Sequence, residues 1–280
     1  MALVTGASSG IGYELSLLLA RDGYDLVLVA RNRTALEELA RRVEDEFATR
    51  AQVLVKDLSV PTACDELYRE LLRGGTSIDV LINDAGFAMQ GPFGENDLAT
   101  LLDMLQVNIV TVTHLTRLLL PSMVERGRGR ILNMASVGAF MPGPMMAAYF
   151  ASKGYVLSLS EALSNELSGT GVTVTALCPG PTRTRFAVRA HLMETKAFRG
   201  PLLDPAYVAR EGFDAMMKGK AVLITGFKHR MQMMPTPLVP RRLLAYFARR
   251  YHETRAPGYE AAKVWAATPE NTQPTHVPQP

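Results

Sequence analysis

Tyr149 and Lys153 stand one helical turn apart in a segment, 147–167, whose apolar spacing predicts a helix, so the two side chains share a face. A free phenol titrates near ~10 and is a poor base at neutral pH. A neighbouring ammonium favours the phenolate and lowers that value. The pair is therefore suited to passing a proton to or from a carbonyl oxygen. Taken alone, Tyr-x-x-x-Lys is also an ordinary surface pair, and its surroundings must decide. Ser136 closes the apolar run 130–134 and carries a hydroxyl that can donate to a substrate oxygen. Asn108 falls inside a long predicted helix, 100–126, where an amide ordinarily faces solvent or packs structurally.

A second group of residues suits a phosphate. The first apolar run leads directly into Thr5-Gly6-Ala7-Ser8-Ser9-Gly10-Ile11-Gly12. Gly6 permits a tight turn off a strand, and Gly10 and Gly12 let backbone approach a pyrophosphate while the helix packs close to the sheet. That helix presents unpaired N–H groups to the anion. A glycine-rich turn by itself is a weak signal; its place in a first strand–helix unit, with another strand following, favours dinucleotide binding. The second strand ends Val29-Ala30-Arg31-Asn32-Arg33. An acid at its tip would hold the 2′-hydroxyl of NAD, and none is there. The guanidinium of Arg31, with Arg33 nearby, suits the 2′-phosphate of NADP instead.

These residues need a scaffold. Predicted strands at 2–5, 26–30, 52–56, 80–83, 130–134, 172–177 and 221–224 are apolar almost throughout, as strands covered on both faces must be. Predicted helices at 11–21, 33–48, 62–73, 100–126, 147–167 and 205–217 alternate with them. The pattern predicts an α/β chain built on one Rossmann-type doubly wound parallel sheet, without internal repeats or an inner linker. Its ligands should lie at the carboxyl ends of the strands. Composition shifts after about residue 228. The reading is one dinucleotide-binding domain over 1–228, a helical extension over 229–265 with a basic amphipathic helix at 241–252, and a disordered, proline-bearing tail over 266–280.

Composition narrows the function. The formal charge is +3 and the charges are interspersed, which gives no case for nucleic acid. Cys64 and Cys178 are far apart and in no metal-ligand spacing, so neither a disulfide framework nor a metal site is expected. No signal-peptide pattern opens the chain and no apolar run approaches ~18 residues, from which a cytoplasmic protein is expected.

Taken jointly, the motifs resemble the short-chain dehydrogenase/reductase family, in its single-domain form. The matching residues run in that family's order: Thr5 to Gly12, Asp57-Leu58, Asn83-Asp84-Ala85-Gly86, Asn108, Ser136, Tyr149 with Lys153, and Pro179-Gly180 followed by Thr182. The resemblance implies an NADP(H)-dependent interconversion of a carbonyl and an alcohol. It makes Tyr149 the general acid or base and has Lys153 lower the tyrosine pKa and hold the nicotinamide ribose. Ser136 would polarise the carbonyl, and Asn108 would support a proton relay through water and Lys153. Asp57 and Leu58 would lie at the adenine, Asn83, Ala85 and Gly86 at the adenosine ribose, and Pro179, Gly180 and Thr182 at the nicotinamide end. Ser8, Ser9 and Ile11 join the glycines of the phosphate loop. The chain departs from the family's usual Asn at Asp84. A lid over 184–203, with Phe186, Val188, Leu192, Met193 and Phe198, and a pocket wall that includes Met145 and Met146, would suit a hydrophobic substrate or pack as plain core. The helix at 241–252 would dock over the site or at a subunit contact, with a membrane the lesser alternative. A homodimer or homotetramer is expected. The rival reading is a catalytically silent NAD(P)-binding sensor of the same fold.

Overall fold

A computed structural model describes residues 1–190 and 192–252. Seven strands form one parallel sheet: β1 Ala2–Thr5, β2 Leu26–Ala30, β3 Ala51–Val55, β4 Val80–Asn83, β5 Gly129–Met134, β6 Val172–Cys178 and β7 Val222–Ile224, in the order β3-β2-β1-β4-β5-β6-β7. The order reverses between β1 and β4, which run in register from Ala2 opposite Val80 to Thr5 opposite Asn83. The chain leaves these two strands toward opposite faces, and the gap between their carboxyl ends is where such sheets hold ligands.

Both faces are covered. Ala2 and Val4 of β1 pack with α1 (Gly10–Arg21), α2 (Arg33–Phe47) and α8 (Pro205–Met217). Leu3, between them, packs into the opposite layer with α3 (Ala63–Arg73), α5 (Val112–Glu125) and the end of α6 (Ala147–Glu166). The alternation of side chains along a strand explains why every residue of β1 is buried.

The predicted helix at 100–126 is interrupted. α4 (Leu98–Leu105) passes into α5 through one π-helical stretch, Gln106–Thr111. By length and apolar composition Leu98–Glu125 could cross a membrane, but Leu101, Met104, Val107, Leu115 and Leu119 are buried in the fold, as in a core helix. The lid region forms the short helix α7 (Arg185–Arg189) and two 3-10 turns. Beyond β7 come α9 (Phe227–Met233) and α10 (Arg241–His252). The remainder of the predicted extension, 253–265, and the predicted tail lie outside the described residues.

Candidate active site

A cavity of about 840 Å³ opens at the carboxyl ends of the strands. At one end the phosphate loop supplies its floor through Gly6, Ser8, Ser9, Gly10 and Ile11. Gly6 and Gly10 have left-handed backbone, φ 73° and 66°, which a side chain would strain. Gly12 sits behind the loop. A Cβ there would meet the Asp84 Oδ2 at 2.5 Å and the Gly6 carbonyl oxygen at 2.8 Å. Ser9 stands at the N-cap of α1 without a side-chain cap, so the first N–H groups of the helix are not consumed by it. This cradle, open and lined by backbone donors, fits a pyrophosphate.

Arg31 lines the next stretch, with Asp57 and Leu58 opposite. The Arg31 guanidinium lies 3.8 Å from the Asp57 carboxylate, and both are well exposed. Burial opposes ionisation of Asp57, but the backbone and hydroxyl of Ser59 together with Arg31 hold its carboxyl below the usual range. Arg33 turns away to Glu37 at 3.5 Å, and Asn32 takes its place in the wall.

Asn83 corrects the assignment to the adenosine ribose. As the last residue of β4 its side chain points into the helical layer, where its amide donates to Asn133 Oδ1 at 2.8 Å and to Thr116 Oγ1 at 3.2 Å. It does not line the cavity; Asp84, Ala85 and Gly86 do. Asp84 is buried beside Gly12, accepts its backbone N–H, and is pushed up to about 7 by burial, against the pull of Lys153.

Tyr149, Ser136 and Lys153 meet at the middle of the cavity. β5 ends at Met134 and releases Ser136; α6 begins at Ala147 and places Tyr149 and Lys153 on one face. Lys153 Nζ donates to the Met134 carbonyl at 2.6 Å and lies 5.8 Å from the centre of the Tyr149 ring. The expected lowering of the phenol by Lys153 is not found. Burial pushes Tyr149 up to about 12, with the hydroxyl of Ser136, its hydrogen-bond partner, pulling the other way. Lys153 is itself pushed down to about 8 by burial, which Asp84 partly offsets.

Asn108 has its side-chain amide held within the fold. It lies in the π-helical stretch, 1% exposed, and does not line the cavity. Its Oδ1 accepts Phe87 N–H at 3.2 Å, and its Nδ2 donates to the Phe87 carbonyl at 3.0 Å and to Ser152 Oγ at 3.1 Å. The amide thus fixes the loop after β4 against α6, and a Cβ on Gly86 would lie 3.0 Å from it.

Pro179, Gly180 and Thr182 follow β6 along the wall, with the Thr182 hydroxyl donating to the Gly180 carbonyl at 2.8 Å. Beyond them the cavity becomes apolar. Phe186, Leu192 and Phe198 face inward and pack with Tyr149, Phe150 and Met146, whereas Val188 and Met193 point outward. Met146 lines the cavity, but Met145 does not: its left-handed backbone, φ 70°, presents its carbonyl to Gly91 N–H at 2.8 Å.

The far wall comes from the two C-terminal helices. Leu244, Phe247, Tyr251 and His252 of α10 close the cavity, with Lys228 and His229 of α9 beside them. Gln90 Nε2 donates to the His252 carbonyl at 2.9 Å, and the His252 ring meets Phe150 edge-on at 5.1 Å. Of the two expected positions for this helix, docking over the site is the one found. His114 stands apart, 3.2 Å from Asp65, and Cys178 is a buried thiol pushed up to about 12 by burial. No cluster of metal-binding side chains occurs among the described residues.

A family model described as short chain dehydrogenase matches residues 1–195. Dehydrogenase/reductase SDR family member 7B of Rattus norvegicus is 31% identical over 267 residues, 91% of this chain and 82% of that protein. A very-long-chain 3-oxoacyl-CoA reductase of Phaeosphaeria nodorum is 37% identical over 177 residues, 62% of this chain, and the match spans only 52% of that relative's length. Among solved structures, a short-chain dehydrogenase from Sphingobium yanoikuyae in complex with NADPH superposes with a TM-score of 0.76 at 31% identity, covering 92% of this chain and 99% of that one. The bulky-bulky ketone specific alcohol dehydrogenase from Comamonas testosteroni gives 0.72 at 29% identity, covering 85% and 91%.

Proposed function

The chain belongs to the short-chain dehydrogenase family, and from that premise we propose that it uses NADPH to reduce the carbonyl of a bulky, largely apolar substrate. The observation that carries this reading is the placement of Tyr149, Ser136 and Lys153 in the wall of one cavity that also holds the phosphate cradle and an apolar chamber. NADPH, when bound, supplies the hydride.

The residues do the rest. The loop from Gly6 to Gly12 binds the pyrophosphate through backbone N–H groups. Arg31 meets the 2′-phosphate, since no acid stands at Ala30 to favour a free hydroxyl. Leu58, Ala85 and Gly86 flank the adenosine, Asp57 contacts the adenine, and Pro179, Gly180 and Thr182 flank the nicotinamide. Ser136 donates to the substrate oxygen and fixes it near the phenol. Tyr149 delivers its proton to that oxygen as negative charge develops there. Lys153 stabilises the resulting phenolate and holds the nicotinamide ribose. Asn108 keeps the loop after β4 and the start of α6 in register, which makes it a positioning residue. Phe186, Phe198, Leu244 and Phe247 exclude water and accept the apolar body of the substrate.

The resemblance to a bulky-ketone alcohol dehydrogenase and to long-chain 3-oxoacyl reductases supports the same substrate class. The test is a series of ketones graded in bulk and polarity, offered with NADPH and with NADH, followed by the loss of reduced-nicotinamide absorbance. Turnover of aryl or long-chain ketones with NADPH is expected. Turnover confined to small polar sugars, or none with any ketone, overturns the reading.

A further inference from the structure

The segment 227–252 contains Lys228, Arg230, Arg241, Arg242, Arg249 and Arg250 and not one Asp or Glu, in a chain that has 27 acids among 280 residues. The same segment holds a run of exposed large apolar side chains. Leu238 is 89% exposed, Phe227 76% and Met234 75%, and Met231, Leu243 and Tyr246 are exposed as well. The inner side of α10 is accounted for: Ala248 is buried, Leu244 and His252 wall the cavity, and Gln90 ties down the helix end. Leu243 and Tyr246 do not line the cavity, and Arg250 leans over the Tyr246 ring, 5.9 Å from its centre, with its Nη1 donating to the hydroxyl at 3.1 Å.

We propose that the surface formed by α9, the turn Thr236–Leu238 and α10 docks on the anionic headgroup layer of a lipid bilayer. Every charged side chain of the segment is a cation, and arginines beside Leu, Met, Phe and Tyr match an interface that is apolar below and anionic above. A single twelve-residue helix such as α10 binds lipid weakly. Here two helices and the turn between them supply apolar groups and cations, and both helices border the same cavity, so their contributions can combine. Patches of exposed apolar residues of this kind mark interaction surfaces on soluble folds. The mouth of the cavity lies on the same side, since Lys228, Met233, Phe247 and Tyr251 belong both to this segment and to the cavity wall.

The experiment is co-sedimentation of the full-length protein with vesicles of phosphatidylcholine alone and of phosphatidylcholine with phosphatidylglycerol, at low and high salt. Binding is expected to the mixed vesicles, weakly or not at all to the zwitterionic ones, and to fall as salt screens the cations. Arg241→Gln combined with Arg242→Gln is expected to lower partitioning about 25-fold, at roughly fivefold per surface cation. Leu243→Ser with Tyr246→Ser should reduce it comparably, and circular dichroism should show both variants folded. Protein that stays in the supernatant with anionic vesicles at low salt overturns the proposal, as does binding indifferent to lipid charge or to both variants. Concentration-dependent self-association that is lost in Leu243→Ser/Tyr246→Ser, without vesicle binding, assigns the patch to a second copy of the chain and also overturns it.

Discussion

Asp84 accepts the backbone N–H of Gly12 at the first turn of α1 and, on its other side, shares a buried electrostatic environment with Lys153. Burial disfavours both charges, raising Asp84 and lowering Lys153, and each offsets the other's penalty. An asparagine, the amide usual at this position in the family, would keep the hydrogen bond and remove the charge.

The substitution Asp84→Asn therefore has a defined pH signature. Asp84 titrates at about 7 in the folded chain and near ~4 when unfolded, so the folded state binds more protons between these values. Wild-type stability attributable to this group falls as pH rises through that window. The variant should lose that slope and gain relative stability from pH ~4 to ~7, measured by thermal melts across pH. Lys153, deprived of its counter-charge, should titrate still lower in the variant. A parallel pair of stability curves would refute the assignment.

Tyr149→Phe should lower turnover by about 10²–10⁴ while NADPH affinity stays close to that of the wild type. Phenylalanine keeps the ring contacts with Phe186 at 5.5 Å and Phe150 at 6.0 Å, so the fold should be unaffected. Steady-state rates and fluorescence titration of NADPH on the same preparation check both halves. A folded variant with near wild-type rate would mean that the proton has another source.

Ser136 and Lys153 should give different profiles. Ser136→Ala removes one donor to the developing oxyanion and should cost about 10²–10³ in kcat with cofactor binding retained. It also removes the hydrogen bond that draws Tyr149 downward, so the alkaline limb of the rate profile should move to higher pH. Lys153→Ala should damage turnover and NADPH binding together. Identical profiles for the two variants would indicate a general structural defect instead.

Arg31→Ala should weaken NADPH more than NADH, by about tenfold or more, because only the former carries the 2′-phosphate and a charged hydrogen bond there is worth about 1.5–3 kcal/mol. The ion pair to Asp57 is long, 3.8 Å, and exposed, so its loss should leave stability nearly unchanged. Calorimetric titration of both cofactors decides it; equal weakening of the two would contradict the role.

The sheet, the phosphate loop and the Tyr149–Lys153 face were legible because each is a local pattern: an apolar run, glycines at fixed offsets, one turn of helix. Strand bounds moved by no more than a residue at either end, as for β3 at Ala51–Val55 against 52–56. The orientations of Asn83 and Asn108 were not legible, for a shared reason. Motif position says that a residue is near the site, but the pleat of β4 turns Asn83 into the helical layer, and the π-helical stretch buries Asn108 against Phe87. Neither orientation follows from spacing. Gln90 and His252, the clasp of the far wall, are 162 positions apart and carry no motif. The available signal was the basic amphipathic pattern of 241–252, which indicated a helix docked over the site or at a subunit contact without naming the residues that hold it.

The wall contributed by α9 and α10 begins at Phe227, 32 residues past residue 195, where the family model stops matching. The phosphate loop and the far wall of the cavity thus lie in separate stretches of the sequence, joined in space by the Gln90–His252 bond and the edge-on Phe150–His252 contact. Drift in the late stretch can recast which molecules fit without disturbing the nucleotide end. Grafting another member's terminal helices here, with Gln90 and Phe150 kept as the socket, is the corresponding route to altered selectivity.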